Sequence, residues 1–531
     1  MTNNLLQRPS YNRRSCRAGI VHLGVGNFHR AHQAYYINEY LNNYDDLNWG
    51  IVGVNLRKSE SENFQHLKNR EGKYILKTIS TAGEKKYSEI HSIIDLYDWS
   101  KDDELAESIF SSPDLELVTM TVTESGYYIS ENNELNLNLP IVKNNIEGKE
   151  KTTIYSYLHN ALKIRKEKCN KPITLLCCDN IRENGVMLKQ TLYKYIKACN
   201  DINLLDWIDS NVSFPSCVVD RITPRVPDNL AKEINNQFNI DEQCSIMGES
   251  FIQWVVEDDF IGKRPALEKV GVQFVDNVFP YEEAKIRILN GGHVAVSYFG
   301  FLKGYTTYDQ AINDPSLQEY FFKFEKEEVI PALGNEMPFD LKKYMMVIFD
   351  RFKNENIADR LERIAMDGVA KFPIFILPTI KACFEKDIVP SNAISSIASW
   401  YVFMKKIHNK ELIFDYYEPQ WDWIKKFLTD DKIDDFANNT ELWDDVPKKF
   451  PDFKIILKDQ IIELQNKCRG AGIELTLAVQ TASDIDRINP DLTKQVIENA
   501  GNLFVLKQRL DNSASLFADA IGTITSKKET F

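Results

Sequence analysis

AGIVHLGVGNFHRAHQAYYINEYL, residues 18–41, passes from a short apolar run through two glycines into a helical pattern. A strand, a tight turn and a helix in that order form the unit on which a dinucleotide pyrophosphate rests. Gly24 and Gly26 permit the turn and a close backbone approach, and the helix N-terminus that follows favours phosphate charge. The third glycine of the usual fingerprint is missing, and His29 stands in its place. The bare spacing therefore also fits a plain strand–turn–helix connection. Phe28 and Arg30 in the same turn are further candidate cofactor contacts.

Outward from this unit the pattern repeats. WGIVGVNLR, 49–57, reads as a second strand, with polar KSESEN after it, at the place where dinucleotide folds read the adenosine ribose. Glu60 there would accept from the ribose hydroxyls and favour NAD, whereas Arg57 and Lys58 would welcome the extra phosphate of NADP. LELVTMTVTESGYY, 115–128, is a further strand ending in Thr123, Glu124 and Gly126, and PITLLCCDNIRENG, 172–185, is another ending at Asp179 and Asn180. In open α/β sheets ligands lie beyond the carboxyl ends of strands, so these polar termini face the expected site.

From about residue 281 strand signals fade, and helices are expected near 281–303, 315–330, 359–368, 375–386, 391–408, 419–428 and 454–468. The predicted fold is α/β. A Rossmann-type dinucleotide-binding domain with insertions spans 1–280, and a mainly α-helical domain spans 281–531. Within the latter, 482–531 is an extension of unknown role with a helix pattern near 491–519.

YEEAKIRILNGGH, 281–293, sets Lys285, Asn290 and His293 at offsets of five and eight in an otherwise apolar helical run. At roughly 100° per residue the three side chains fall within an arc of about 140°. A lysine withdrawn from water loses its charged form first, so its pKa falls from about 10.4 toward the value a general base needs. The same spacing also suits a snorkelling lysine and a satisfied core histidine.

Bulk properties narrow the function. At 531 residues, 43% hydrophobic and 27% charged, the chain is an ordinary globular protein of two to three domains. A net charge of −13 argues against nucleic acid as a partner. No apolar run is long enough for a membrane span, and the start lacks a secretory core, which reads as a cytoplasmic protein. Nine scattered cysteines without a CxxC pair, and eight histidines without HExxH, point to no disulfide framework and no metal. Asp220 and Arg221 read as an ion pair holding a domain junction, Glu257 to Asp259 as a solvated acidic face, and Trp254 as core.

GIVHLGVGNFHRAHQAYY, TVTESGYY, CCDNIRENG, CVVDRITP, QWVVEDDF, PYEEAKIRILNGGH and RIAMDGVAKFP occur in this order over roughly residues 18–380. Together they resemble the polyol-specific long-chain dehydrogenases, the mannitol dehydrogenase family, and the stretch 257–293 is most similar to its mannitol 2-dehydrogenases. The resemblance implies a zinc-independent oxidoreductase that moves a hydride between a nicotinamide cofactor, NAD or else NADP, and a polyol/ketose pair such as D-mannitol and D-fructose. It implies Lys285 as general base, with Asn180 and Asn290 stabilising the reacting oxygen. His293 would orient substrate, Arg363 and Lys371 would contact its hydroxyls, and Glu282 would relay the proton to solvent. D-Arabinitol dehydrogenase and the reductases of fructuronate or tagaturonate are the alternatives within the chemistry, and a non-catalytic dinucleotide-binding regulator is the alternative outside it. The expected partner is a small-molecule substrate, and the expected state a monomer or weak oligomer.

Overall fold

The computed structural model describes residues 5–130, 134–334, 336–412 and 416–470, with side chains up to residue 466. The extension 482–531 and its helix pattern lie outside the described residues.

Strand Ile20–Leu23 is the centre of a six-stranded parallel sheet among the described residues. It pairs with Ile51–Asn55 on one side, Ile20 opposite Ile51, and with Leu117–Met120 on the other, Ile20 opposite Leu117. Ile93–Asp98 lies outside the second strand, and Ile173–Cys177 and Val212–Ser213 continue beyond Leu117–Met120. Numbered along the chain, the sheet strands run in the order 3-2-1-4-5-6, which is the Rossmann arrangement. The near-continuous apolar runs follow from burial on both faces. Val21, Leu23, Val52, Val54, Val118 and Met120 point into one core layer, while Ile20, Ile51, Leu117 and Leu176 point into the other.

The helix after the first strand is interrupted. Residues Asn27–Ala31 form one short helix, His32 leaves helical geometry at φ −120° and ψ −85°, and Gln33–Tyr44 resumes. The break lets buried His32 bond the carbonyl of Gln253 at 2.8 Å. The sequence reading also passes over two smaller sheets. One contains the hairpin Tyr74–Ile79 and Lys85–Ile90, and the other pairs Cys217–Asp220 with Gln253–Glu257.

From Phe279 onward the described chain is helical around its own core. Helix Ser391–His408 carries the expected bounds, and Asp452–Gly470 and Leu377–Phe384 lie close to theirs. The expected 359–368 helix is shortened to Leu361–Ala365, and a separate helix, Gly368–Phe375, begins after Asp367, which takes φ 59°. Helix Leu341–Phe352 is an addition to the sequence reading. Among the described residues no helix is long and apolar enough to cross a membrane.

Candidate active site

The carboxyl ends of the central strands open onto a cleft of about 770 Å³. Gly24, Gly26, Arg30, Arg57, Glu60 and Thr123 line it, whereas Phe28 and Glu124 do not. Phe28 stacks on His32 with centroids 5.0 Å apart, and Glu124 is exposed in the turn Glu124–Tyr127. Gly24 sits at φ +88°, where an added Cβ would stand 2.2 Å from the carbonyl oxygen of Thr121. A Cβ on Gly26 would meet no atom within 4 Å and would project into open space. One glycine is thus required by the fold, and the other leaves room that a pyrophosphate needs.

Beneath the turn, His22 bonds Thr119 Oγ1 at 2.7 Å, Thr121 Oγ1 at 2.9 Å and the Gly24 carbonyl at 3.1 Å, and stacks on His29 at 3.4 Å. Burial pushes His22 down to about 3, so it is a neutral scaffold tying two strands to the turn. Arg57 donates to the Val122 carbonyl at 2.6 Å and to Thr123 Oγ1 at 3.1 Å, so its guanidinium braces the neighbouring strand end. Arg30 donates to the Cys244 carbonyl at 2.9 Å and to Asn27 Oδ1 at 2.6 Å.

Asp179 connects this cleft to the lysine. Its carboxylate accepts from the Val122 and Thr123 amides at 2.9 and 3.0 Å and from the Tyr127 hydroxyl at 2.7 Å. The next residue, Asn180, accepts from Lys285 Nζ through Oδ1 at 2.5 Å, and the Val219 carbonyl accepts from the same nitrogen at 2.6 Å. Lys285 is buried, and desolvation lowers its pKa; Asp220 opposes this fall and Arg351 assists it. A neutral amine has two N–H donors and one lone pair. In that form, with two protein acceptors in place, the lone pair is free for the proton of a substrate hydroxyl.

Lys285 stands on a helix that is α over Phe279–Ala284, π over Lys285–Asn290 and α again over Gly291–Leu302. The sequence reading takes this run as uniformly helical at 100° per residue, and the π segment corrects that geometry. Its i→i+5 bonding brings residues five apart close to one line, so Asn290 stands nearer to Lys285's face than an arc of about 140° implies. His293 follows, stacked on Phe352 at 4.2 Å and edge-on to Tyr308 at 4.5 Å. Burial lowers it to about 3, so it meets a ligand as a neutral imidazole.

The expected ion pair between Asp220 and Arg221 does not form. Arg221 donates to the carbonyls of Ala31 at 2.5 Å and Glu249 at 2.8 Å. Asp220 instead accepts both terminal nitrogens of Arg351, at 2.7 and 2.9 Å, and Arg351 also reaches Glu249 at 2.7 and 3.0 Å. Successive residues of an extended segment point to opposite faces, which keeps sequence neighbours apart. The acidic run is also less uniform than a solvated face. Glu257 accepts from the Ser216 amide at 2.9 Å, and Asp258 pairs with Arg264 at 2.8 Å. Trp254 is core, at 1% exposure.

Arg363 lies close enough to His293 to oppose its protonation, and its Nε donates to Asp359 Oδ1 at 2.8 Å. Lys371 Nζ donates to the Ile364 carbonyl at 2.9 Å, and burial lowers its pKa to about 8. Glu282 accepts from the Glu183 amide at 3.0 Å, one helical turn before Lys285. Burial raises its pKa to about 7, against the pull of Arg182.

Arg351, Asp359 and the Val219 carbonyl are site groups that the sequence reading leaves out. Arg351 had a signal: Leu341, Met345, Ile348, Phe349 and Phe352 recur at helical spacing and are all buried. Asp359 had one too, four residues before Arg363. A backbone carbonyl leaves no trace in side-chain types.

Residues 18–269 match the family model described as the mannitol dehydrogenase Rossmann domain, and 277–454 match the mannitol dehydrogenase C-terminal domain. D-Arabinitol 4-dehydrogenase of Klebsiella pneumoniae is 35% identical over 83% of this chain and 97% of its own length. Mannitol dehydrogenase 2 of Saccharomyces cerevisiae is 36% identical over 77% of this chain and 82% of its own. The ternary complex of Pseudomonas fluorescens mannitol 2-dehydrogenase with NAD and D-mannitol superposes with a TM-score of 0.78, at 32% identity, covering 87% of this chain and 95% of that one.

Proposed function

The chain belongs to the mannitol dehydrogenase family, and from that premise we propose that it is an NAD-dependent polyol dehydrogenase interconverting D-mannitol and D-fructose. The observation that carries this reading is the buried Lys285 amine, held by Asn180 Oδ1 and the Val219 carbonyl next to the strand ends that line the dinucleotide cleft. Gly24, Gly26, Arg30, Glu60 and Thr123 would hold the cofactor, whose nicotinamide supplies the redox chemistry when bound. Glu60 faces the cleft and Arg57 is committed to Val122 and Thr123, which favours NAD over a cofactor carrying a further phosphate.

Each remaining role belongs to a named side chain. Lys285 takes the hydroxyl proton. The Asn180 and Asn290 side-chain amides donate to the oxygen as its charge grows, which stabilises the transition state more than the ground state. Neutral His293 orients the substrate, and Arg363 and Lys371 bind the more distant hydroxyls. Glu282 passes the proton outward, and a carboxyl near 7 can both accept and release it at neutral pH. In this division residues 1–280 bind cofactor and 281–531 bind substrate. The proposal includes a cytoplasmic monomer or weak oligomer; the described cysteines are free thiols, which suits a reducing compartment.

The test is oxidation of D-mannitol, D-arabinitol and D-sorbitol with NAD and with NADP. Mannitol with NAD should give the highest kcat/KM. A clear preference for D-arabinitol would instead support the second reading, which rests on the 35% identical relative of that name.

A further inference from the structure

Asp359 lines a recess with His293 and pairs with Arg363. Its carboxylate accepts from Arg363 Nε at 2.8 Å and from Nη2, a two-point clasp four residues apart in the chain. The carboxylate is 9% exposed while the guanidinium side chain is 62% exposed, so the acid lies beneath the cation and the cation faces outward. Asp359 shares that small recess with Arg351 as well as His293, which places it against the site and against Arg363. Its backbone is fixed, because the Tyr308 amide donates to the Asp359 carbonyl at 2.8 Å and Thr307 bridges Arg360.

The consequence is electrostatic. A planar guanidinium binds a carboxylate best through two parallel N–H bonds, and here the edge carrying Nε and Nη2 is already filled from within the chain. The Nη1 and Nη2 N–H groups of the other edge stay free to donate, but they belong to an Arg363–Asp359 pair with no net charge to draw an anion. A ligand carboxylate brought to Arg363 would also sit near Asp359, and like charges at close range oppose each other. Lys371, held on the Ile364 carbonyl through one N–H, is a single cation shared between Asp359 and any incoming carboxylate.

We propose that Asp359 is a specificity-determining residue: by clasping Arg363 it makes this end of the site accept a hydroxyl terminus and reject a carboxylate, excluding sugar acids from the reaction. The inference rests on the reading of the chain as a polyol dehydrogenase, and its test separates the two.

The full-length protein is assayed for NADH-dependent reduction of D-fructose and of D-fructuronate, its terminal carboxylate analogue, before and after Asp359→Asn. The wild type should prefer fructose. The substitution should shift the kcat/KM ratio toward fructuronate by about tenfold or more, mainly through the KM of the acid. Adding Arg363→Gln to Asp359→Asn should abolish that gain, which a merely structural role of Asp359 would not predict. A ratio within about twofold of wild type, in a variant that still reduces fructose, would overturn the proposal. Should Asp359→Asn not fold, the wild type alone decides it: D-mannonate should inhibit D-mannitol oxidation with an inhibition constant at least about tenfold above the mannitol KM, and tighter inhibition overturns the proposal. Absence of turnover on every polyol and ketose would instead strike the functional reading itself.

Discussion

Arg351 closes on Asp220 with both terminal nitrogens, Nη1 to Oδ2 at 2.7 Å and Nη2 to Oδ1 at 2.9 Å, and so ties helix Leu341–Phe352 to the strand Cys217–Asp220. Val219, one residue before Asp220, is the carbonyl that holds Lys285. The ion cluster that joins the helical half to the sheet half therefore also sets the position of the amine.

Removing Arg351 leaves Asp220 and Glu249 buried side by side without their cation. Breaking a buried pair in this way costs about 3–5 kcal/mol. Arg351→Met should lower the unfolding free energy by that order in a urea titration, and adding Asp220→Asn should recover part of it. Losses that simply add would show that the two side chains do not share their energy.

Lys285→Ala should reduce kcat for polyol oxidation by about 10²–10⁴-fold, the usual worth of a positioned base. NADH affinity, followed by fluorescence titration, should stay within about twofold, because the cleft-lining residues do not include Lys285. Turnover within about tenfold of wild type would remove Lys285 from the proton transfer.

How much of this was legible in the sequence depends on the kind of signal. The central strand announced itself, since Ile20 to Leu23 are buried on both faces and followed at once by Gly24. Lys285, Asn290 and His293 were legible as unusual polar groups in an apolar run. Their true spacing was not, because the π segment depends on packing between helices rather than on residue type. The Asp220–Arg351 contact spans 131 residues, and nothing local marks Asp220's partner. Arg221, its chain neighbour, was the natural but mistaken choice. Asp359 and Arg363, four apart, illustrate the opposite case of a pair within reach of a local rule that went unread.

Glu282 gives the protein a pH-dependent stability term. Burial raises its carboxyl from 4.5 to about 7, so between those values the folded protein holds a proton that the unfolded chain has released. Its contribution is full below about pH 4.5 and is lost as pH rises through about 7. Glu282→Gln keeps an acceptor for the Glu183 amide but cannot titrate. Relative to that variant, wild type should therefore lose on the order of 2–3 kcal/mol between pH 4.5 and pH 8, at about 1.4 kcal/mol per pKa unit. A difference that is constant with pH would mean Glu282 titrates as an ordinary surface acid.

Gly24 and Gly26 separate folding from cofactor binding. A methyl group at position 24 would meet the Thr121 carbonyl at 2.2 Å in a backbone at φ +88°, so Gly24→Ala must displace the turn from the strand Leu117–Met120 or strain it. Strain of this kind costs about 1–3 kcal/mol per residue, and the collision adds to it. At position 26 a methyl group touches nothing in the protein and enters the cleft where the pyrophosphate would pass. Gly24→Ala should accordingly lower the melting temperature, whereas Gly26→Ala should melt like wild type yet bind NADH at least about tenfold more weakly. Calorimetry with fluorescence titration on both proteins distinguishes them. If Gly26→Ala bound NADH with unchanged affinity, the dinucleotide would have to approach the sheet elsewhere than over this turn.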